Sequence, residues 1–321
     1  MTSGHDTEET TRSSAVTIID SSSAHDVRAR LPQLLELPAN GSLGAVVVRN
    51  AISSIEDFGA LKDALNEDVV PYVEASTPRA RLADGVFTST DYPPNESIAL
   101  HNENSAASQW PRHVLFGCLQ PATHGGHTPL ADVRDVLAAL APDIIEDFLS
   151  RGWLLIRNYH PDLGSTWRNA FSTDDRDEVE DYCTRTGIEW EWTPNGGLRT
   201  MQRREAIVRA HCGDLVWFNH VAFWHPSRLD PEIRTTLLEE FGPDGLPYDT
   251  RFGDGEIISD AVIDDVARAY ANATVRFDWC TGDVLLVDNM LVAHGRDPFQ
   301  GERRVLVTLL GRCDLRDHRV A

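Results

Sequence analysis

No apolar run in this chain approaches the length needed to span a bilayer, which argues against a membrane partner. Cysteine is sparse and unpaired in pattern: Cys118, Cys183, Cys212, Cys280 and Cys313 are odd in number, scattered, and form no CxxC pair. That excludes a disulfide framework or a zinc ribbon and fits reduced thiols in the cytoplasm. Positive charge is also in deficit, with 29 Lys and Arg against 50 Asp and Glu and a net charge of −21. Such a surface repels phosphate backbones and anionic lipid, so nucleic acid is not an expected partner. The N-terminus lacks the basic and apolar regions of a signal peptide. Residues 1–14 are polar and are expected to form a disordered tail. No repeat or linker divides the remainder, so 15–321 is expected to be a single domain. Of the 321 residues, 41% are hydrophobic, ample for a large core.

The pattern of elements is mainly β with flanking helices. Strands are expected at 16–20, 43–49, 97–100, 113–119, 153–159, 189–193, 198–202, 206–210, 215–224, 275–279, 284–288 and 304–311, from short apolar or alternating runs bounded by turn residues. Helices are expected at 55–66, where Phe58, Leu61 and Leu65 recur at helical spacing behind a capping serine, and at 133–140, 142–150, 174–186 and 259–271. Many short strands with helices outside them suggest an antiparallel sandwich or jelly roll, a fold that gathers distant segments into one mouth.

The chemistry-bearing feature is His101-Asn102-Glu103, followed much later by His294. Two imidazoles and one carboxylate can hold ferrous iron on one face and leave the opposite face open. On a strand, residues i and i+2 point the same way, so His101 and Glu103 are expected to share one ion. An open iron site has room for dioxygen and for a chelating 2-oxo acid, whose far carboxylate then needs a fixed cation. Arg303 and Arg304 both open the last strand; alternation lets one face inward, and the uniformly apolar residues that follow leave open which. Thr128, 27 residues after His101, carries a hydroxyl suited to the same carboxylate.

With these residues in view the sequence resembles the taurine dioxygenase superfamily of iron(II)/2-oxoglutarate oxygenases. It is similar in particular to the branch that includes the syringomycin-biosynthesis aspartyl hydroxylase and related amino-acid β-hydroxylases. The resemblance runs from Gly44 to Arg303 through TSTDYPP (88–94), HNE (101–103), WP (110–111), GGHTPLADVR (125–134), RNY (157–159), LRT (198–200), WFN (217–219), GDVLLVDN (282–289) and HGRDPFQGERR (294–304). It implies a double-stranded β-helix (jelly roll). It also implies Fe(II) held by His101, Glu103 and His294, with 2-oxoglutarate held by Thr128 and Arg303, the latter filling a G-x-R slot. A departure is His127, where many relatives carry an acidic residue. The implied reaction decarboxylates 2-oxoglutarate to succinate with O2 and hydroxylates an unactivated carbon of an amino acid or its derivative, free or on a peptidyl carrier protein, in specialised-metabolite (antibiotic) biosynthesis. Halogenating relatives replace the carboxylate ligand by a small residue; Glu103 therefore favours hydroxylation, or a related desaturation or cyclisation.

Two further residues are candidates for substrate contact: Arg199 as a carboxylate binder and Asn219 at the mouth of the site. Each has an equally weighted structural alternative, an ion pair for Arg199 and backbone satisfaction for Asn219. His211, His220 and His225 read as packed or surface histidines, and Trp190, Trp192, Trp217 and Trp224 as core. Two other classes remain open: a zinc hydrolase using the same three ligands, and a non-catalytic β-barrel binding protein.

Overall fold

The computed structural model describes residues 16–21, 27, 30, 43–71, 74, 79–90, 92–161 and 163–320. The expected disordered tail lies outside them. Two facing sheets form the frame. The larger has seven strands in the order Thr17–Asp20, Ala45–Arg49, Val284–Asp288, Gln109–Gln120, Arg304–Asp314, Val86–Thr88, Arg81–Ala83. The first pair is parallel and the others antiparallel. The smaller sheet has the order Thr274–Val275, Leu130–Asp132, Val292–Arg296, Ile98–His101, antiparallel throughout. This is the jelly roll anticipated above.

The core follows from strand alternation. Ala45 and Val47 face the interior between the sheets with Val114, Phe116, Val305, Val307, Leu130 and Val292. Their neighbours Val46 and Val48 point the other way, with Leu115, Leu286 and Leu306, onto Phe58 and Leu61 of helix Ile55–Ala64. That helix begins where Ser54 accepts the Asp57 N–H at 3.1 Å, the expected cap. It lies close because Gly117 leaves the sheet bare beneath it; a Cβ there would sit 2.6 Å from the Phe58 ring.

A third sheet interrupts the frame, with order Ile188–Trp192, Leu198–Arg204, Trp153–Tyr159, Tyr248–Phe252, again antiparallel. Its register places Trp153, Leu155, Arg157 and Tyr159 on one face with Thr200, Gln202, Arg204 and Tyr248, and turns Arg199 and Asn158 to the other.

Two expectations need correction, and two elements were not anticipated. The run 215–224 is a strand only over Leu215–Trp217, then turns into helix Val221–Trp224. Asn219 breaks it: its amide donates to Ala206 O at 2.8 Å and its carbonyl oxygen accepts the Val221 N–H at 2.9 Å. The strand at 275–279 shrinks to Thr274–Val275. Helix Pro231–Phe241 and strand Tyr248–Phe252 had no sequence-level expectation; the first is announced by an Asp230 cap and a proline at the first helical turn.

Candidate metal and 2-oxo acid site

His101 ends strand Ile98–His101 and His294 is the central residue of its neighbour; the two are register partners across the pair. The strand stops at His101, so Glu103 does not reach its neighbour by strand alternation. It sits in a turn closed by Asn104 in the left-handed region (φ 58°). Asn289 holds that turn. Its side chain accepts the Glu103 N–H at 2.7 Å, donates to Glu103 O at 2.9 Å and to Pro111 O at 2.8 Å, while Asn102 donates back to Asn289 O at 2.7 Å. The two side chains do converge, but not by strand alternation: a side-chain clamp takes the place of the pleat. Asn289 was visible within GDVLLVDN, but nothing local to it announced this role.

One ligand atom from each of His101, Glu103 and His294 lies within 4.8 Å of the others. Among the described residues no other group of three such side chains gathers in this way. The donor set fits an ion. The His101 Nδ1 is 2.9 Å from Ala99 O, which places its hydrogen there and leaves Nε2 as a lone pair for the centre. Burial, with help from the neighbouring His294, lowers the His101 pKa to about 4, so the ring is neutral near pH 7. Burial opposes ionisation of Glu103, but the Arg79 guanidinium and the two imidazoles outweigh it and hold the carboxyl well below the usual range. A neutral His101 ring beside an ionised carboxylate matches the protonation states that metal ligation requires. His294 Nδ1 is buried without a partner. Gly295 behind it is obligatory on steric grounds, since a Cβ would meet Ile98 O at 2.6 Å.

Arg79 had no sequence signal. It donates to both Glu103 oxygens, at 3.1 and 3.3 Å, and lines both cavities that meet at the triad.

The narrower cavity, about 40 Å³, is bounded by His101, His294, Phe116, Thr128, Arg296 and Arg303 among others. Thr128 is 3% exposed, and its Oγ1 accepts from Trp279 Nε1 at 3.0 Å, which leaves its own hydrogen to donate elsewhere. Arg303 donates to Gly126 O at 3.2 Å and to Ser89 Oγ at 3.4 Å. Burial, with Arg296 beside it, lowers the pKa of Arg303 to about 10. Arg304 is exposed and pairs in register with Gln120, so Arg303 is the inward-facing member of the pair. Trp279, like Arg79, carried no sequence expectation of a role here.

The wider cavity, about 500 Å³, opens from the same triad and is walled by His220, Phe223, Trp224, Arg157 and Tyr248. His220 stacks on Trp224 and contacts Ser105 Oγ at 2.6 Å; burial holds its pKa well below the ordinary value. His225 bonds Ser227 and Ile258 O, and His211 pairs with Asp288. The two substrate candidates are not brought to either cavity. Arg199 lies on the far face of its sheet and donates to Asp244 O at 2.7 Å. Asn219 is buried at the strand-to-helix break described above.

A search against known families matches the chain over residues 24–310 to the taurine catabolism dioxygenase TauD, TfdA family. Among curated proteins, the dapdiamide synthesis protein DdaC of Enterobacter agglomerans is 39% identical over 269 residues, covering 83% of this chain and 82% of that one. A clavaminate synthase-like protein of Arabidopsis thaliana is 29% identical over 282 residues, covering 83% and 81%. A solved structure from Burkholderia xenovorans, provisionally described as an alpha-ketoglutarate-dependent taurine dioxygenase, superimposes with a TM-score of 0.50 at 16% identity, covering 94% of this chain and 92% of that one, a likeness of fold. With a family match spanning nearly the whole chain, this protein belongs to the TauD, TfdA family of dioxygenases.

Proposed function

We propose that residues 15–321 form one oxygenase domain that uses Fe(II), 2-oxoglutarate and O2 to hydroxylate an unactivated C–H bond of an amino acid or amino-acid derivative. The observation that carries this reading is the convergence of His101, Glu103 and His294 beside a second pocket containing an inward-facing arginine. His101 through Nε2, His294 and one Glu103 oxygen would hold the ion. Bound iron would supply dioxygen activation and the oxidising power for C–H cleavage. Arg303 and Thr128 would fix the distal carboxylate of 2-oxoglutarate, the guanidinium by charge and the hydroxyl by donating the hydrogen that Trp279 leaves available. Phe116, Val307 and Ile98 give that pocket an apolar lining. Arg79 would stay on the Glu103 oxygen not used by the metal and orient the carboxylate. A hydrolytic zinc centre would leave the Thr128–Arg303 pocket without a task.

The relative named for dapdiamide synthesis supports a role in specialised-metabolite biosynthesis. No helix among the described residues is long and apolar enough to cross a membrane; with the scattered free cysteines this supports a cytoplasmic enzyme. The test is anaerobic addition of Fe(II) and 2-oxoglutarate. A weak visible charge-transfer band is expected, together with succinate release that depends on iron and oxygen. A band that persists in His294→Ala would refute the ligand assignment.

A further inference from the structure

The wide cavity holds a charge that the reading above does not use. Arg157 is 2% exposed, on the inner face of strand Trp153–Tyr159, and lines the cavity. Its direct contacts are all with neutral groups, while the Glu74 carboxylate acts on its charge without touching it. One guanidinium nitrogen donates to Glu74 O at 3.0 Å, another to Tyr248 Oη at 3.3 Å, and Nε is buried with no partner. The rings of Tyr159, Tyr248 and Trp224 lie 4.6, 5.2 and 6.0 Å from its centre. Among the described residues no carboxylate pairs with it. The acids of the cavity wall are occupied: Glu103 accepts from Arg79, and the Glu74 carboxylate accepts from Tyr182 Oη at 2.8 Å and Gln202 Nε2 at 2.6 Å. Arg228, at the same cavity, pairs with Asp264. A buried guanidinium with one N–H unpaired and no carboxylate in contact is costly unless a ligand fills that place.

We infer that Arg157 anchors the carboxylate of the substrate, which is therefore a free acid whose reacting carbon is remote from that carboxylate. This rests on the oxygenase reading and names the substrate class of the same site. The path between anchor and metal ligands is aromatic. Arg157 lies against Trp224 and Tyr248, Trp224 against Phe223 at 5.6 Å, and Phe223 edge-on to His101 at 5.2 Å. A substrate held by its carboxylate at Arg157 would run its apolar body along these rings and present a distant carbon to the triad. The anchor and the histidines share one electrostatic neighbourhood: His220, depressed chiefly by burial, also feels the Arg157 charge. With Arg228 committed to Asp264, one unpaired cation matches a monoanion rather than a phosphate dianion. A thioester at the same carboxyl would have no charge to offer, so the free acid and not a carrier-bound acyl group is the expected form.

The experiment uses the full chain loaded anaerobically with Fe(II) and 2-oxoglutarate. The probes are the protein amino acids and their N-acetyl derivatives, each with its matching primary amide. The readouts are perturbation of the charge-transfer band and, after oxygen is admitted, stimulation of succinate release. At least one acid should act at tenfold lower concentration than its amide. In Arg157→Gln the band with 2-oxoglutarate alone should persist while the acid preference falls below twofold; its persistence also reports a folded site. Arg157→Lys, which keeps the charge but loses the bidentate fork, should retain part of the preference and serves if the glutamine variant does not fold. Equal action of acid and amide, an undiminished preference in Arg157→Gln, or no response to any acid in the panel would overturn the inference. A missing band in the wild type would instead refute the oxygenase reading itself.

Discussion

Two cavities meet at His101, and they are built differently. The narrow one is walled by the jelly roll: Thr128, His294, Arg303 and Phe116 lie on or beside strands of its two facing sheets. The wide one is walled largely by the interrupting region, with Arg157 and Tyr248 on the third sheet and Phe223 and Trp224 on the short helix beside it. On the proposed reading the cosubstrate groups lie on or beside the paired strands of the scaffold. The proposed substrate contacts lie in a region whose inner face is unusually polar for a buried sheet, with Arg157, Thr200, Gln202, Arg204 and Thr250 all shielded from solvent. The first arrangement suits an invariant reagent. The second is free to change without disturbing the metal ligands.

That division is open to direct attack. Removing a metal ligand should have the largest effect: His294→Ala or Glu103→Ala should abolish the charge-transfer band and lower turnover by roughly 10³-fold or more, since an unassembled centre loses the whole activation step. Arg303→Met should come next. The apparent Kd for 2-oxoglutarate, read from titration of the band, should rise by about 30-fold or more, equivalent to ~2 kcal/mol or more for losing one partner of a buried charge pair. Thr128→Val should give a smaller rise, about fivefold, the worth of one hydrogen bond of ~1 kcal/mol. Asn289→Ala should act through the protein rather than the reagent. It strands the Glu103 N–H and the Glu103 and Pro111 carbonyls, so unfolding free energy should drop by about 2–4 kcal/mol, measured by denaturant titration, with weaker iron binding alongside. The smallest effects are expected outside both cavities. Arg304→Ala and Arg199→Ala should leave 2-oxoglutarate affinity unchanged and stability within about 0.5 kcal/mol. A marked loss of substrate response in Arg199→Ala would break the comparison, because that side chain faces away from the wide cavity.

Much of the scaffold was legible in advance because its signals are local. Strands 45–49, 153–159 and 284–288 announce themselves as apolar runs, and Ser54, Asp132 and Ser259 cap helices through contacts within three residues. The clustering of His101, Glu103 and His294, with Thr128 beside it, was legible because the proposed chemistry constrains their residue types and spacing. What escaped was non-local or conditional. Leu215–Trp224 reads as one aromatic strand until Asn219 finds Ala206, and no local pattern reveals that partner. Strand alternation left Arg303 and Arg304 equivalent and the G-x-R slot of the resemblance favoured Arg303; the pairing of Arg304 with Gln120 is what turns Arg303 inward. Arg199 looked like a carboxylate binder because the residue type was right, whereas strand register decided that Arg157, on the next rung of the same ladder, faces the cavity instead.

By itself, the amino-acid order determined the candidate reagent set: two imidazoles, a carboxylate, a threonine and an arginine at spacings that suit metal and 2-oxo acid chemistry, with apolar alternation that selects a sandwich. Tertiary structure alone decided which charges are spent and which remain available. The Glu103 carboxylate is paired with Arg79, the Glu74 carboxylate accepts from Tyr182 and Gln202, and Arg157 touches neutral groups only. The reason is physical: whether a charge is neutralised depends on what lies within a few ångströms in space, and those neighbours come from segments far apart along the chain.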